Sequence, residues 1–201
     1  MSIQLLHIDT SIFGESGVSS QLGQTLLKHL NDRGASADIV HRDLASDPIP
    51  HFDADTIARI GEGEEVLADT LIKEVQAADV IVLGVPMYNF GVPSALKAWF
   101  DHIARAGTTF RYTDSGPEGL LNNKKVFVLT SRGGVHRDQP SDSQTLFLKT
   151  MLGFLGLEDV SFIYAEGLNM SGGIREEAIA KAEAEIEHHI RTLADTFEEV
   201  A

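Results

Sequence analysis

Residues 79–110 read DVIVLGVPMYNFGVPSALKAWFDHIARAGTTF, and the order of features within them decides the fold. Val80 to Val85 is an apolar run of strand length without polar alternation, the pattern of a strand covered on both faces by helices and therefore of a parallel sheet. Next come Pro86-Met87-Tyr88-Asn89-Phe90-Gly91 and a helix that Pro93 starts, with Leu96, Trp99, Phe100 and Ile103 along one side. The loop thus stands at the carboxyl end of a central strand, where open α/β sheets bind ligands. Its aromatic, amide and glycine residues suit a planar conjugated ring.

Upstream, Ile3 to Asp9 is a first strand, and the hydroxyl- and glycine-rich run from Thr10 to Ser20 leads into a helix carrying Leu22, Leu26, Leu27 and Leu30. A helix N-terminus gathers free N–H groups and about half a positive charge, so this loop suits a phosphate. It contains no Lys or Arg, which leaves hydroxyls and amides to hold the anion. An ordinary N-cap at Ser16 or Ser19 is the other reading. Ala37 to His41 is a second strand, followed by an irregular, proline-bearing stretch to Gly63 and a helix over 64–78.

Downstream, Lys125 to Thr130 is a fourth strand ending at Ser131-Arg132-Gly133-Gly134-Val135-His136, where glycines let backbone N–H groups approach a ligand closely. Ser141 and Gln144 read as a capping box for a helix with Leu148, Leu152 and Leu155. Val160 to Tyr164 is a fifth strand, and Ile179, Ala182, Ile186, Ile190, Leu193 and Phe197 mark a closing amphipathic helix. Residues 107–123 belong to neither pattern. They read as a hairpin-like excursion whose Phe110, Tyr112, Leu120 and Leu121 need a second surface to cover them, the partner subunit's ligand pocket being the nearest.

Five strands alternating with five helices predict an α/β, flavodoxin-like, doubly wound five-stranded parallel sheet of order 2-1-3-4-5, in a single domain spanning 1–201. The loops after strands one, three and four then meet beside the switch point between strands one and three, where this topology holds flavin mononucleotide (FMN). One loop suits a phosphate, one a ring, and the third offers amides to the pyrimidine side.

With 201 residues, 43% of them hydrophobic, the chain can bury a full core. Its lack of cysteine removes disulfides, thiolate metal sites and cysteine nucleophiles, and the formal charge of −14 disfavours nucleic acid or an anionic membrane as partner. The start MSIQLLHID lacks a signal-peptide pattern and no run of about 18 apolar residues occurs, so a cytoplasmic protein is expected. Gly61-Glu62-Gly63 lacks the rest of a dinucleotide fingerprint, and Gly14-Glu15-Ser16-Gly17 is one residue short of a nucleophile elbow. His188 and His189, adjacent on a helix, point apart, and no metal is expected. His136, following the glycine pair, is a candidate flavin contact, with Asn89 a second candidate for tuning the ring.

Pro86-Met87-Tyr88-Asn89-Phe90, Ala104-Arg105-Ala106-Gly107, Thr109 to Thr113, Gly116 to Leu120, Ser131 to Gly134 and Ala165-Glu166-Gly167 together resemble the FMN-dependent NADH-azoreductases. The resemblance runs nearly end to end. It implies a homodimer with one FMN per subunit at the interface, using NADH to reduce quinones and aromatic azo compounds by a two-step, ping-pong route. It implies that Ser11, Gly17, Val18 and Ser19 bind phosphate, that Pro86, Met87, Tyr88, Asn89, Phe90, Ser131, Arg132, Gly133 and Gly134 surround the isoalloxazine, and that Tyr112 and Phe154 line the substrate pocket from the partner subunit. No side chain is then an obligatory catalyst. A flavodoxin-type electron carrier without substrate turnover is the other reading of the same features; the excursion, which would cover the ring edge, argues against it.

Overall fold

The computed structural model describes residues 2–199, with side chains described through residue 193. A five-stranded parallel sheet is formed by β1 (Ile3–Asp9), β2 (Ala37–Asp43), β3 (Val80–Pro86), β6 (Lys125–Ser131) and β7 (Asp159–Ala165), in the order β2-β1-β3-β6-β7. A separate antiparallel hairpin supplies β4 (Phe110–Thr113) and β5 (Gly116–Gly119). The helices are α1 (Val18–Asp32), α2 (Ala54–Gly61), α3 (Leu67–Ala77), α4 (Ser94–Ile103), α5 (Ser143–Leu155) and α6 (Ile174–Glu199). None among the described residues is long and apolar enough to cross a membrane.

Every residue of β3 is buried, as its unbroken apolar run requires of a strand sandwiched between helices. On one face, Ile81, Leu83 and Val85 pack with Leu71, Trp99 and Leu152 from α3, α4 and α5. On the other, Val80 and Val82 pack with Leu22 and Leu26 of α1 and Ile186 and Ile190 of α6. Burying each such large side chain contributes roughly 1.5–3 kcal/mol before entropy is counted. Trp99 and Phe100, both fully buried, anchor α4 and so fix the start of the helix that follows the 86–91 loop. Phe197, the last member of the expected α6 stripe, lies outside the residues whose side chains are described.

Several local expectations change. The stretch read as irregular contains α2, which starts where the Asp53 carboxylate accepts from Thr56 N–H at 2.9 Å. The next helix begins at Leu67 rather than 64, because Asp69 turns back to accept from Val66 N–H at 2.8 Å. The Ser141/Gln144 capping box does not form: Asp142 caps α5 by accepting from Thr145 N–H at 3.1 Å, while Gln144 is buried and used elsewhere. Neither Ser16 nor Ser19 is an N-cap. Gly17 holds that position on α1, with no side-chain cap.

The excursion is a hairpin, but its subunit already covers most of it. Phe110 and Leu121 are buried, Phe110 packing at a tilt on Phe154 of α5 with ring centroids 4.4 Å apart and Leu121 N–H donating to Leu155 O at 2.9 Å. Gly119 meets the end of α5 so closely that a Cβ there would sit 2.0 Å from Gly156 N. The expectation that another chain must bury Phe110 and Leu121 is therefore corrected. Tyr112, 76% exposed, is the hairpin's large uncovered aromatic side chain.

Candidate active site

The loops after β1, β3 and β6 meet around a cleft of about 280 Å³, near the lower end for cofactor-sized ligands. Of the residues singled out from sequence, Ser11, Gly17, Val18, Pro86, Met87, Tyr88, Ser131, Arg132 and Gly133 line it. Phe13, Ser16, Leu168, Asn169 and Arg175 join them. Asn89, Phe90, Gly134 and His136 lie in the same loops and Ser19 in the first turn of α1, none of them lining it, and Tyr112 and Phe154 do not line it either.

At one end, a 3-10 turn (Gly14–Ser16) delivers the chain to Gly17 and the uncapped N-terminus of α1. Gly17 is required by close approach, since a Cβ would lie 2.1 Å from Ser11 Oγ. The Ser19 hydroxyl is fully buried and has no hydrogen-bond partner. An orphaned hydroxyl costs about 1–3 kcal/mol, and here it stands beside uncapped helix N–H groups, the donor set an anion uses. The Arg175 side chain adds a cation from the first turn of α6; its one recorded bond is a long one, Nη1 to Leu168 O at 3.3 Å. The 10–20 loop itself holds no base. The overlooked signal was that β7 ends at the same sheet edge, so the 166–175 segment also faces the cleft.

At the other end, Tyr88 to Gly91 forms a tight turn closed by Tyr88 N–H to Gly91 O (3.1 Å) and Gly91 N–H to Tyr88 O (3.0 Å). Its two central residues, Asn89 (φ 49) and Phe90 (φ 68), both take left-handed backbone, the mark of a type I′ turn. Asn tolerates this conformation; Phe does so at a cost on the order of 1–3 kcal/mol. The surroundings enforce it. Ser143 Oγ donates to Phe90 O at 2.6 Å, and Gln144 Nε2 donates to Pro86 O at 2.9 Å. The Tyr88 hydroxyl accepts from Ile12 N–H at 3.1 Å and lies 3.4 Å from Ser11 Oγ, which ties the ring loop to the phosphate loop.

In the third loop, the carbonyls of Arg132, Gly133 and Gly134 accept from Leu168, Asn169 and Gly167 N–H. The N–H groups of Gly133 and Gly134 have no protein partner among the described residues. Neither glycine has positive φ, so the freedom used here is spatial: a Cβ at Gly133 would lie 2.6 Å from Asn169 Nδ2. Arg132 presents only backbone. Its guanidinium is fully buried behind the loop, donating to Thr130 Oγ1 (3.0 Å), Gln144 Oε1 (3.2 Å), Thr145 Oγ1 (2.8 Å) and Glu166 Oε1 (3.1 Å), with Asp142 at 3.0 Å. Burial pushes the Asp142 carboxyl up, and the bonds and charge of Arg132 with those of Thr145 more than offset it, so it sits below the usual carboxylate value. His136 shares Ser141 Oγ at 2.9 Å and meets the Phe90 ring edge-on at 5.6 Å.

These residues fit FMN. An orphaned hydroxyl, uncapped N–H groups and a cation serve a phosphate; unpartnered amides on a glycine pair serve a polar ring edge; Met87 and Tyr88 give the flat wall between them.

A family described as having the flavodoxin-like fold matches residues 4–190. The chain is 60% identical over 190 residues to an FMN-dependent NADH:quinone oxidoreductase of Saccharophagus degradans, covering 90% of each chain. It is 48% identical to one of Cellvibrio japonicus, covering 92% of this chain and 98% of that one. Among solved structures, it resembles an FMN-dependent NADH-azoreductase from Bacillus anthracis in complex with FMN, with TM-score 0.85, 25% identity, and coverage of 96% of this chain and 99% of that one.

Proposed function

This chain belongs to the FMN-dependent NADH:quinone oxidoreductase family, on its flavodoxin-like fold, and we propose that it reduces quinones and aromatic azo compounds with NADH in two separate half-reactions at the cleft just described. Counting only the strands of the main sheet, the order reads 2-1-3-4-5. One observation carries the reading: a single cleft joins the uncapped start of α1, Met87 with Tyr88 at the head of the strained turn, and Gly133, whose N–H has no protein partner among the described residues. Its relatives are named as oxidoreductases, which favours an enzyme over an electron carrier.

Bound there, FMN supplies two-electron hydride exchange, accepted from NADH and passed on to the quinone or azo acceptor. Ser11, Gly17, Val18 and Ser19, with Arg175, hold the phosphate. Pro86 to Phe90 and Ser131 to Gly134 hold the ring, the free N–H groups of Gly133 and Gly134 favouring negative charge at its polar edge. Asn89 and His136 tune it from beside the cleft. Dependence on NADH favours the cytoplasm as the working compartment. Steady-state turnover of FMN-loaded protein against benzoquinones, naphthoquinones and azo dyes tests the assignment; absence of NADH-dependent turnover with all of them would refute it.

Arg175→Ala should weaken FMN by about 1–2 kcal/mol, the range for a partly exposed hydrogen bond to a charged group, and leave riboflavin nearly unaffected. Flavin-fluorescence titration of both ligands checks this, and equal losses would place Arg175 away from the phosphate.

The working form is a homodimer in which the exposed Tyr112, with Phe154 behind the hairpin, completes the partner's substrate pocket. In a heterodimer of a Tyr112→Ala chain with a Gly133→Val chain, FMN is confined to the first, whose pocket still receives an intact Tyr112. The expected acceptor KM is that of wild type, against an altered KM in the Tyr112→Ala homodimer. Identical altered values in both would assign Tyr112 to its own subunit, and full activity in a monomer would remove the dimer requirement.

A further inference from the structure

Beneath the phosphate loop lies a side-chain cluster that the flavin chemistry does not use. His7 and His41 are register partners on the parallel pair β1 and β2, and Asp9 follows His7 by two residues. The strand period of two therefore places all three on one face. Asp9 Oδ2 is 3.0 Å from His41 Nε2, Asp9 Oδ1 is 3.4 Å from His7 Nε2, and the three donor atoms lie within 4.8 Å of one another. From these groups we infer a binding site for one first-row divalent transition-metal ion, zinc foremost.

Ligands held at zinc–nitrogen and zinc–oxygen distances of about 2.0–2.1 Å stand roughly 3.4 Å apart around a tetrahedron. Asp9 sets a different oxygen against each histidine, at 3.0 and 3.4 Å, so binding an ion requires one of these oxygens and the two imidazole nitrogens to close on a common centre. The electrostatics point the same way. Asp9 is 4% exposed, and its ion-pair contacts among the described residues are these two histidines, with no Lys or Arg. A buried carboxylate without a counter-charge is costly. His7 is 1% exposed, and neither of its ring nitrogens has a hydrogen-bond partner. A cation between them gives His7 Nε2 a partner and Asp9 its counter-charge together.

Both donors are closely packed: a Cβ at Gly23 would lie 2.5 Å from His7 Nε2 and one at Gly84 2.8 Å from Asp9 Oδ1, so only glycine fits at either position. His41, with 44% of its side chain exposed, gives the ion an entrance and leaves a coordination position to water. Two imidazoles and one carboxylate select zinc and its first-row neighbours over calcium or magnesium, which prefer all-oxygen sites. Because Asp9 leads directly into Thr10 and Ser11, an ion here clamps β1 to β2 at the root of the phosphate loop.

The test uses FMN-loaded protein freed of metal by chelation, titrated with Co(II) as a spectroscopic probe and then with Zn(II) in competition. One Co(II) per chain with ligand-field absorption of low coordination number is expected, displaced by Zn(II). His41→Ala, at a half-exposed position outside the flavin cleft, should weaken binding by more than about 100-fold, since even outer-shell changes cost 10–100-fold, while NADH:quinone turnover is unchanged. His188→Ala/His189→Ala should bind as wild type does. If His41→Ala binds as tightly as wild type, or if the α6 pair abolishes the absorption, the site is not at His7, Asp9 and His41.

Discussion

Replacing Arg132 by methionine is expected to cost about 3–5 kcal/mol of stability, the range for removing one partner of a buried ion pair, and to loosen FMN at the same time. The guanidinium is fully buried and joins Thr130, Gln144, Thr145, Asp142 and Glu166. Its removal strands two carboxylates of which only 8% and 13% of the side chain is exposed. Gln144 reaches from Arg132 to Pro86 O, and Glu166 accepts from His136 and Arg137 N–H, so both ring loops lose their shared brace. Asp142, whose carboxyl is held down in the native protein, contributes stability above its unfolded value of 3.8 that disappears as pH falls through its lower folded value. In the variant that carboxyl is buried without its cation, so the penalty is greatest at neutral pH and narrows once acid protonates it. Urea unfolding at pH 7 and pH 4 measures both. A pH-independent difference, or one under about 1 kcal/mol, as for a surface ion pair, would show that Arg132 is not this brace.

The larger expected effect on activity is at Gly133. Gly133→Val should yield folded protein that has lost nearly all its FMN. Its φ is not in the left-handed region, so a side chain is not excluded by backbone strain. It is opposed by crowding: the first carbon would lie 2.6 Å from Asn169 Nδ2, so the Asn169 side chain, which lines the cleft, must be displaced. With Gly133 O bound to Asn169 N–H at 3.0 Å, the loop cannot retreat without breaking that bond. The valine must therefore crowd the cleft and misdirect two amides. Flavin absorbance per chain, with far-ultraviolet circular dichroism as the folding control, decides it; a variant that keeps its full flavin content would move the ring elsewhere.

The architecture was legible because period and punctuation agreed: the unbroken run in β3, the glycines after β6 and the stripe on α6 each allowed one reading. What escaped the sequence depended on contacts distant along the chain. Asp53 capped a helix inside a segment whose prolines suggested none. Ser141 and Gln144 had the spacing of a capping box, but Gln144 is drawn into the core by Arg132 and Pro86 O, and Asp142 takes over the cap. Phe110 and Leu121 looked uncovered because nothing local reveals that α5 comes back beneath the hairpin. Arg175 and Asn169 entered the site from a strand end that carried no motif. Arg132 lines the cleft, but its guanidinium is buried among Thr130, Gln144, Thr145, Asp142 and Glu166, a set of partners that no motif encodes.

If one cleft holds FMN and passes electron pairs from NADH to an acceptor, both half-reactions are visible in the flavin's colour. Mixing the FMN-loaded protein with one equivalent of NADH without oxygen, and following flavin absorbance in a stopped-flow instrument, tests it most directly. Rapid, complete bleaching within the turnover time is expected, then full recovery of colour when one equivalent of benzoquinone is added after NAD⁺ has been removed. Flavin that stays oxidised with NADH, or reduced flavin that a quinone cannot reoxidise, would contradict it.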